Sequence, residues 1–206
     1  MTILTSRSGT IEFGPGLPTL LINDQLRIMD QSPEVLAELR EGKVDRLLAL
    51  ARLGQETGTN AVDILINHPD LDETVLLPKV ALAVHEEIGC PISLDSRNPE
   101  ALAGALSALR PYKALINSVT AETESLRDLL PVAREYGAAV VGMPMGHIHG
   151  LPKTVQGRLA EARVIIETAD EYGIPREDLV MDAICLASSA EPGSMAVTLD
   201  TLSALH

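Results

Sequence analysis

Acidic and amide side chains recur at the ends of short apolar runs in this chain: Asn23 and Asp24, Asn67, Asp95, Asn117, His147 and Asp182, with Asp63 inside its own run. A carboxylate or amide at the end of an apolar run is costly to bury unless it is hydrogen bonded. Several of them gathered at one mouth would suit a small ligand rich in donors and acceptors. Each could also cap the next helix or bind a loop backbone, and it is the recurrence that points to a site. Other constellations are weaker. His147-Ile148-His149, with His68 at another run's end, could be imagined around a divalent metal, but no Cys-x-x-Cys or His-Glu-x-x-His spacing accompanies them, and no metal is assigned. Cys185 reads as a small buried hydrophobe, and Ser188 and Ser189 lack a Gly-x-Ser-x-Gly setting.

The elements that must position these residues follow a repeated order of apolar run, polar residue or two, amphipathic stretch and glycine, which is the grammar of βα units. The runs are 19–23, 61–67, 91–95, 114–117, 138–145 and 179–182, apolar on successive residues, as strands of a parallel sheet buried on both faces are. Helices are expected near 33–57, 72–88, 99–109, 122–136, 154–172 and 194–205. Gly58, Gly89, Gly137 and Gly173 stand where left-handed C-terminal caps belong, and Ser32-Pro33 and Asn98-Pro99 mark starts. Ile3-Leu4 and Thr10 to Phe13 flank Ser6-Arg7-Ser8-Gly9 as a small hairpin that would cap one end. No linker divides the chain, so residues 1–206 read as a single domain.

Neither Gly-x-Gly-x-x-Gly nor Gly-x-x-x-x-Gly-Lys-Ser/Thr occurs, which removes the commonest reasons for an open doubly wound sheet. The fold expected is α/β, a (β/α)8 TIM-barrel type lacking its last two βα units in this chain, with an N-terminal β-hairpin. With 206 residues the chain can bury a real core. Sixteen Lys and Arg against 29 Asp and Glu give a net charge of −13, which disfavours nucleic acid and anionic membrane surfaces. Aromatics are 2% with no Trp, so a flat ligand must be held by its edges rather than stacked. Two distant cysteines, and no leader or apolar span, suggest reduced thiols and a cytoplasmic protein.

Val62-Asp63-Ile64, Leu94-Asp95-Ser96-Arg97-Asn98-Pro99, Ile116-Asn117-Ser118, Gly150-Leu151-Pro152-Lys153 and Met181-Asp182, in this order and spacing, resemble the pterin-binding superfamily of barrels. The resemblance covers about residues 60–205. Leu-Asp-Ser-x-Asn-Pro followed by Ile-Asn-Ser is most similar to the methyltetrahydrofolate:corrinoid methyltransferases; dihydropteroate synthase usually has Asp-Thr and Asn-Asp at those places. The resemblance implies that Asp95, Asn117 and Asp182 hold the pterin ring and act in catalysis, with Asp63, Asn23, Asn67, Ser96, Ser118, Met143 and Lys153 binding substrate. Lys153 would meet the glutamate tail of a folate. A carboxylate can accept two parallel bonds from the amino group and ring N–H of a pterin. The implied reaction moves a methyl group between N5 of methyltetrahydrofolate and cobalt, the cobalamin being carried by a partner corrinoid protein. Alternatives are a dihydropteroate-synthase-like condensation and a catalytically silent folate-binding or assembly subunit. The family's seventh and eighth strands have no counterpart in these 206 residues. The open edges this leaves predict a homo-oligomer, such as a dimer, or a poorly stable chain.

Overall fold

A computed structural model describes residues 1–146, 150–187, 189 and 191–205. The sequence expectations at His147, Ile148, His149, Ser188 and His206 lie outside the described residues.

Six strands form one all-parallel sheet: β3 (Ile22–Arg27), β4 (Ala61–Leu65), β5 (Ile92–Asp95), β6 (Leu115–Thr120), β7 (Ala139–Met143) and β8 (Leu179–Met181). Spatial order equals chain order, so β3 and β8 each keep one edge without a strand among the described residues. This is an unclosed arc of a (β/α)8 barrel. The strands are followed by α1 (Pro33–Arg40) and α2 (Asp45–Glu56), α3 (Glu73–Ile88), α4 (Pro99–Ala108), α5 (Thr123–Tyr136), α6 (Val155–Glu171) and α7 (Ser194–Leu205).

Period-2 alternation decides what each strand gives to which face. Val62, Ile64, Ile92, Leu94, Ile116 and Val140 point outward into one core shared with the helices. The intervening Asp63, Ser93, Asp95 and Asn117 face the barrel interior, and the apolar bottom of that interior holds Leu4, Leu115 and Ala139 with Phe13, Leu20 and Val141 packed on them. Both faces are thus covered, which is why the runs carry apolar residues at nearly every position.

The hairpin, β1 (Thr2–Ser6) with β2 (Gly9–Phe13), closes the amino-terminal end of the barrel. Its backbone is tied to the loops that precede three strands. Ser8 N donates to Gly89 O at 3.1 Å, Thr5 N to Lys113 O at 3.1 Å, and Thr2 Oγ1 to Glu177 O at 2.6 Å. Beneath it, Lys113 Nζ meets the nearly buried Asp178 carboxylate at 2.5 Å.

Helix boundaries fall within a residue or two of expectation, with one difference. The stretch 33–57 is two helices, because Gly42 adopts φ 72° and ends the first. Gly89 and Gly137 form left-handed caps as expected, and Asn98 Oδ1 accepts the amides of Glu100 and Ala101 at the start of α4. Ser32 accepts no such capping bond. The first barrel strand is the larger correction: it runs over 22–27 rather than 19–23, continuing through Asp24 and Gln25 along the free edge, where polar residues meet water. No helix among the described residues is long and apolar enough to cross a membrane.

Candidate functional site: the carboxyl-terminal mouth of the barrel arc

The strand ends put a hydrogen-bonded polar layer directly above the apolar bottom. Asp63, 5% exposed, accepts through Oδ1 from Ser93 Oγ at 2.5 Å and from Asn117 Nδ2 at 3.1 Å. One carboxylate therefore links three adjacent strands. The parallel register sets Leu65 opposite Asp95 and Asp95 opposite Asn117, so Asp95 stands one step further out on the same wall. Beyond it opens a cleft of about 520 Å³ lined by Leu65, Asn67, Glu73, Asp95, Ser96 and Arg97.

Burial drives the electrostatics of this wall. It raises the Asp63 carboxyl above the usual aspartate value, against the hydrogen bonds from Ser93 and Asn117, and Asp24 adds like charge. Asp95 is pushed up to about 6, first by burial and then by Asp63, with Glu73 adding to the rise and Arg27 and Arg97 opposing it. Glu73 is raised by burial as well, against a hydrogen bond with Ser96. Carboxylates so desolvated gain most from a ligand that presents two N–H groups side by side. A group near 6 can also hold or release a proton close to neutrality.

The mouth thus brings together Asp63, Asn67, Asp95, Ser96 and Asn117 of the residues expected from sequence. Ser118 and Met143, both partly exposed, lie on the outer parts of β6 and β7. Asp182 follows β8, two strands from β6, and is exposed beside the open edge. Its amide donates to Gly142 O at 3.0 Å, and its Oδ1 accepts from Ile184 N at 2.8 Å. Lys153 is solvent-exposed and ion-paired with Glu191 at 2.8 Å, where solvent screens the pair heavily.

Asn23 departs from expectation. Its Nδ2 lies 3.5 Å from Leu50 O, its Oδ1 accepts from Gln25 N at 3.0 Å, and a Cβ on Gly54 would sit 2.0 Å from its amide nitrogen. It is packed outward under α2, away from the mouth, because alternation turns Asp24 to the inside in its place. Cys185 is exposed rather than buried, whereas Cys90 is buried, its thiol pushed up to about 11. His68 uses Nδ1 to accept the Asp70 amide at 3.2 Å, and no group of three potential metal ligands occurs among the described residues.

Sequence reasoning missed Ser93 and Glu73 as parts of this mouth, whereas Asp24 was among the run-end carboxylates it named. Ser93 carried a signal, two residues before Asp95 on the same strand face; Glu73, the first residue of α3, carried none.

A parallel barrel arc with a donor-hungry carboxylate wall at its carboxyl-terminal mouth is the architecture of a ligand-binding α/β barrel. Residues 33–206 match the family described as Pterin binding enzyme, and the chain belongs to that family. Solved structures share its fold. The chain superposes on a Yersinia pestis DHPS with a pterine–sulfa conjugate at TM-score 0.69 and 19% identity, covering 100% of this chain and 73% of that one. For the 7,8-dihydropteroate synthase of Vibrio fischeri the values are 0.67, 19%, 100% and 74%. The dihydropteroate synthase of Thermus thermophilus gives 0.62 and 24% identity over 87% of this chain and 64% of that one.

Proposed function

We propose that the Asp63–Asn117–Asp95 wall binds the amino and N–H edge of a reduced pterin, and that the chain is a transferase displacing a group at a carbon carried by that pterin. The observation that supports this most directly is the buried Asp63 shared by Ser93 and Asn117, with Asp95 held near 6 beside it. In this reading Asp95 and Asp182 accept the ring donors, Asn117 presents its amide to the ring edge, and Ser96, Ser118, Asn67 and Met143 border the substrate. Lys153 would have to leave Glu191 to meet an anionic tail.

Two displacements fit such a site. In a dihydropteroate-synthase-like condensation the amine of p-aminobenzoate attacks the methylene on the pterin, a C–N bond forms, the C–O bond to diphosphate breaks, and the amine loses a proton. The solved structures that share the fold support this reaction, as do Arg27 and Arg97, whose charges reach Asp95 and could face an anionic leaving group. In methyl transfer the bond from N5 to the methyl carbon breaks, its electron pair stays on N5 with a proton, and the methyl group passes to the cobalt of a corrinoid protein as second substrate. The residues Leu94-Asp95-Ser96-Arg97-Asn98-Pro99 and Ile116-Asn117-Ser118 support that reaction.

The comparison that tests both is direct. The chain is incubated with p-aminobenzoate and 6-hydroxymethyl-dihydropterin diphosphate, and separately with methyltetrahydrofolate and cob(I)alamin, and each product is followed. Product in one assay assigns the reaction. Binding of either pterin without product in both assays would favour a silent folate-binding subunit, and no pterin binding at all would overturn the site.

A further inference from the structure

Arg158 heads the largest side chains sealed inside this protein, at 2% exposure, although a guanidinium is among the most expensive groups to bury. It stands in the first turn of α6, and its donors go to loops rather than to its own helix. Nε donates to Pro152 O at 3.2 Å, while Nη1 lies 2.5 Å from Ala183 O, 2.8 Å from Ile184 O and 3.2 Å from Thr198 Oγ1. Thr198, on α7, places its hydroxyl 2.9 Å from the same Ile184 carbonyl.

The segment that receives these bonds is unusual in its backbone. Ile184 has φ 56°, the only left-handed non-glycine among the described residues, and a β-branched side chain tolerates that region poorly. Its amide is also the donor to Asp182 Oδ1. One residue in an unfavoured conformation is thus held from two sides: its N–H by the Asp182 carboxylate, its C=O by Arg158 and Thr198. If the carbonyl were released, the peptide could turn back to an ordinary conformation and the amide would leave Asp182.

We infer that Arg158 is a positioning residue for Asp182: by holding the carbonyls of Ala183 and Ile184 it fixes the turn that orients the Asp182 carboxylate at the mouth. The inference rests on the reading that Asp182 meets the pterin. Lysine cannot take this place, since a single ammonium cannot reach the Pro152 carbonyl and the Ala183–Ile184 pair with fixed fork geometry. The arrangement explains how an exposed carboxylate at an open sheet edge keeps a defined direction without burial of its own.

The test is a double-variant cycle read by calorimetric titration, with methyltetrahydrofolate and 6-hydroxymethyl-dihydropterin each as probe, on wild type, Arg158→Lys, Asp182→Ala and the double variant. The expected result is a loss of about tenfold or more in pterin affinity for each single variant, with the double variant within about twofold of Asp182→Ala. Amide exchange at Ile184 should quicken in Arg158→Lys while the far-ultraviolet circular dichroism is retained. Full affinity in Arg158→Lys, or losses that simply add in the double variant, would overturn the inference, because a purely structural role acts equally with and without Asp182. Wild-type affinity in Asp182→Ala would instead overturn the pterin reading of Asp182, and the inference with it. Should Arg158→Lys fail to fold, Thr198→Val keeps the guanidinium and removes the second hold on Ile184 O, together with that hydroxyl's contacts to Arg158 Nη1 and Ser194 O; a loss of about threefold, absent in the Asp182→Ala background, supports the inference in the same way, and no loss overturns it.

Discussion

The two sides of the mouth are built by different means. On the β4–β6 side, the Asp63 carboxylate is buried between neighbouring strands and fixed by side-chain partners, Ser93 and Asn117. On the β7–β8 side, Asp182 is exposed and fixed by backbone, through Gly142 O and the Ile184 amide. Both arrangements define a direction for an acceptor, and on the β4–β6 side burial also raises the proton affinity of Asp63 and Asp95. The difference teaches that strands paired on both sides can tune a carboxylate by burying it, while a strand end at the edge aims one through its backbone.

The largest change expected concerns the open side as a whole. β3 and β8 each have one edge without a strand among the described residues, with Gln31 Nε2 covering only the Gln25 and Arg27 carbonyls of β3, and Leu21, Ile22 and Leu202 are exposed apolar residues. The 206-residue chain should therefore self-associate, with roughly a doubling of mass by light scattering and a concentration-dependent unfolding midpoint. A concentration-independent monomer would show that the edges are already protected.

Next comes the ligand. Asp95→Ala should weaken pterin binding by about 2 kcal/mol or more, a factor of tenfold or greater, because it removes a charge-assisted pair of bonds from a desolvated site. Equal affinity of wild type and Asp95→Ala in calorimetry would remove the tuned side from the binding site.

Of similar size, but in stability rather than binding, Gly54→Ala should cost about 1–3 kcal/mol, since the new methyl group would overlap the Asn23 amide. Urea unfolding measures it. Pterin affinity of the folded variant should be unchanged, which separates Asn23 from the mouth.

The tuned carboxyl gives a pH signature whose sign follows from its direction. Asp95 is raised from 3.8 to about 6, so the folded state binds its proton more tightly than the unfolded chain, and stability falls as pH rises from about 4 to about 6, then levels off. Asp95→Asn removes that loss. It should stabilise the protein by about 1–2 kcal/mol at pH 7–8 once partial screening is allowed for, and by almost nothing near pH 4, while binding pterin less well. A stabilisation that does not vary with pH would mean that Asp95 is not the raised group.

The smallest effect is expected at Lys153. Its exposed pair with Glu191 is worth at most about 0.5 kcal/mol, so Lys153→Ala should leave the unfolding midpoint nearly unmoved. Binding of a pterin without a glutamate tail should be unaffected, and a folate's affinity should fall only if the lysine reaches the tail.

Much of this protein could be read in the chain. Runs of mostly apolar residues at 61–65, 92–95 and 139–143 encode strands covered on both faces; Gly89 and Gly137 end helices because only glycine enters the left-handed region without penalty; Asp63, Asp95 and Asn117 together announce a polar layer because polar groups recur within or at the ends of successive apolar runs. Family membership follows the same ordered residues, whereas the choice between condensation and methyl transfer is not written in them alone. Tertiary structure decided the rest. The register that sets Asn23 opposite the outward-facing Val62 turned Asn23 out against Gly54 and, by alternation, Asp24 in, a choice of face that composition does not carry. Ser93 became the partner of Asp63 only once β4 and β5 were in register, and Glu73 reached the cleft only because α3 begins above it. Arg158 had no sequence signal, since a charged residue in a helix normally faces water; its burial depends on carbonyls 25 and 26 residues away, and such pairings exist only after the chain has folded.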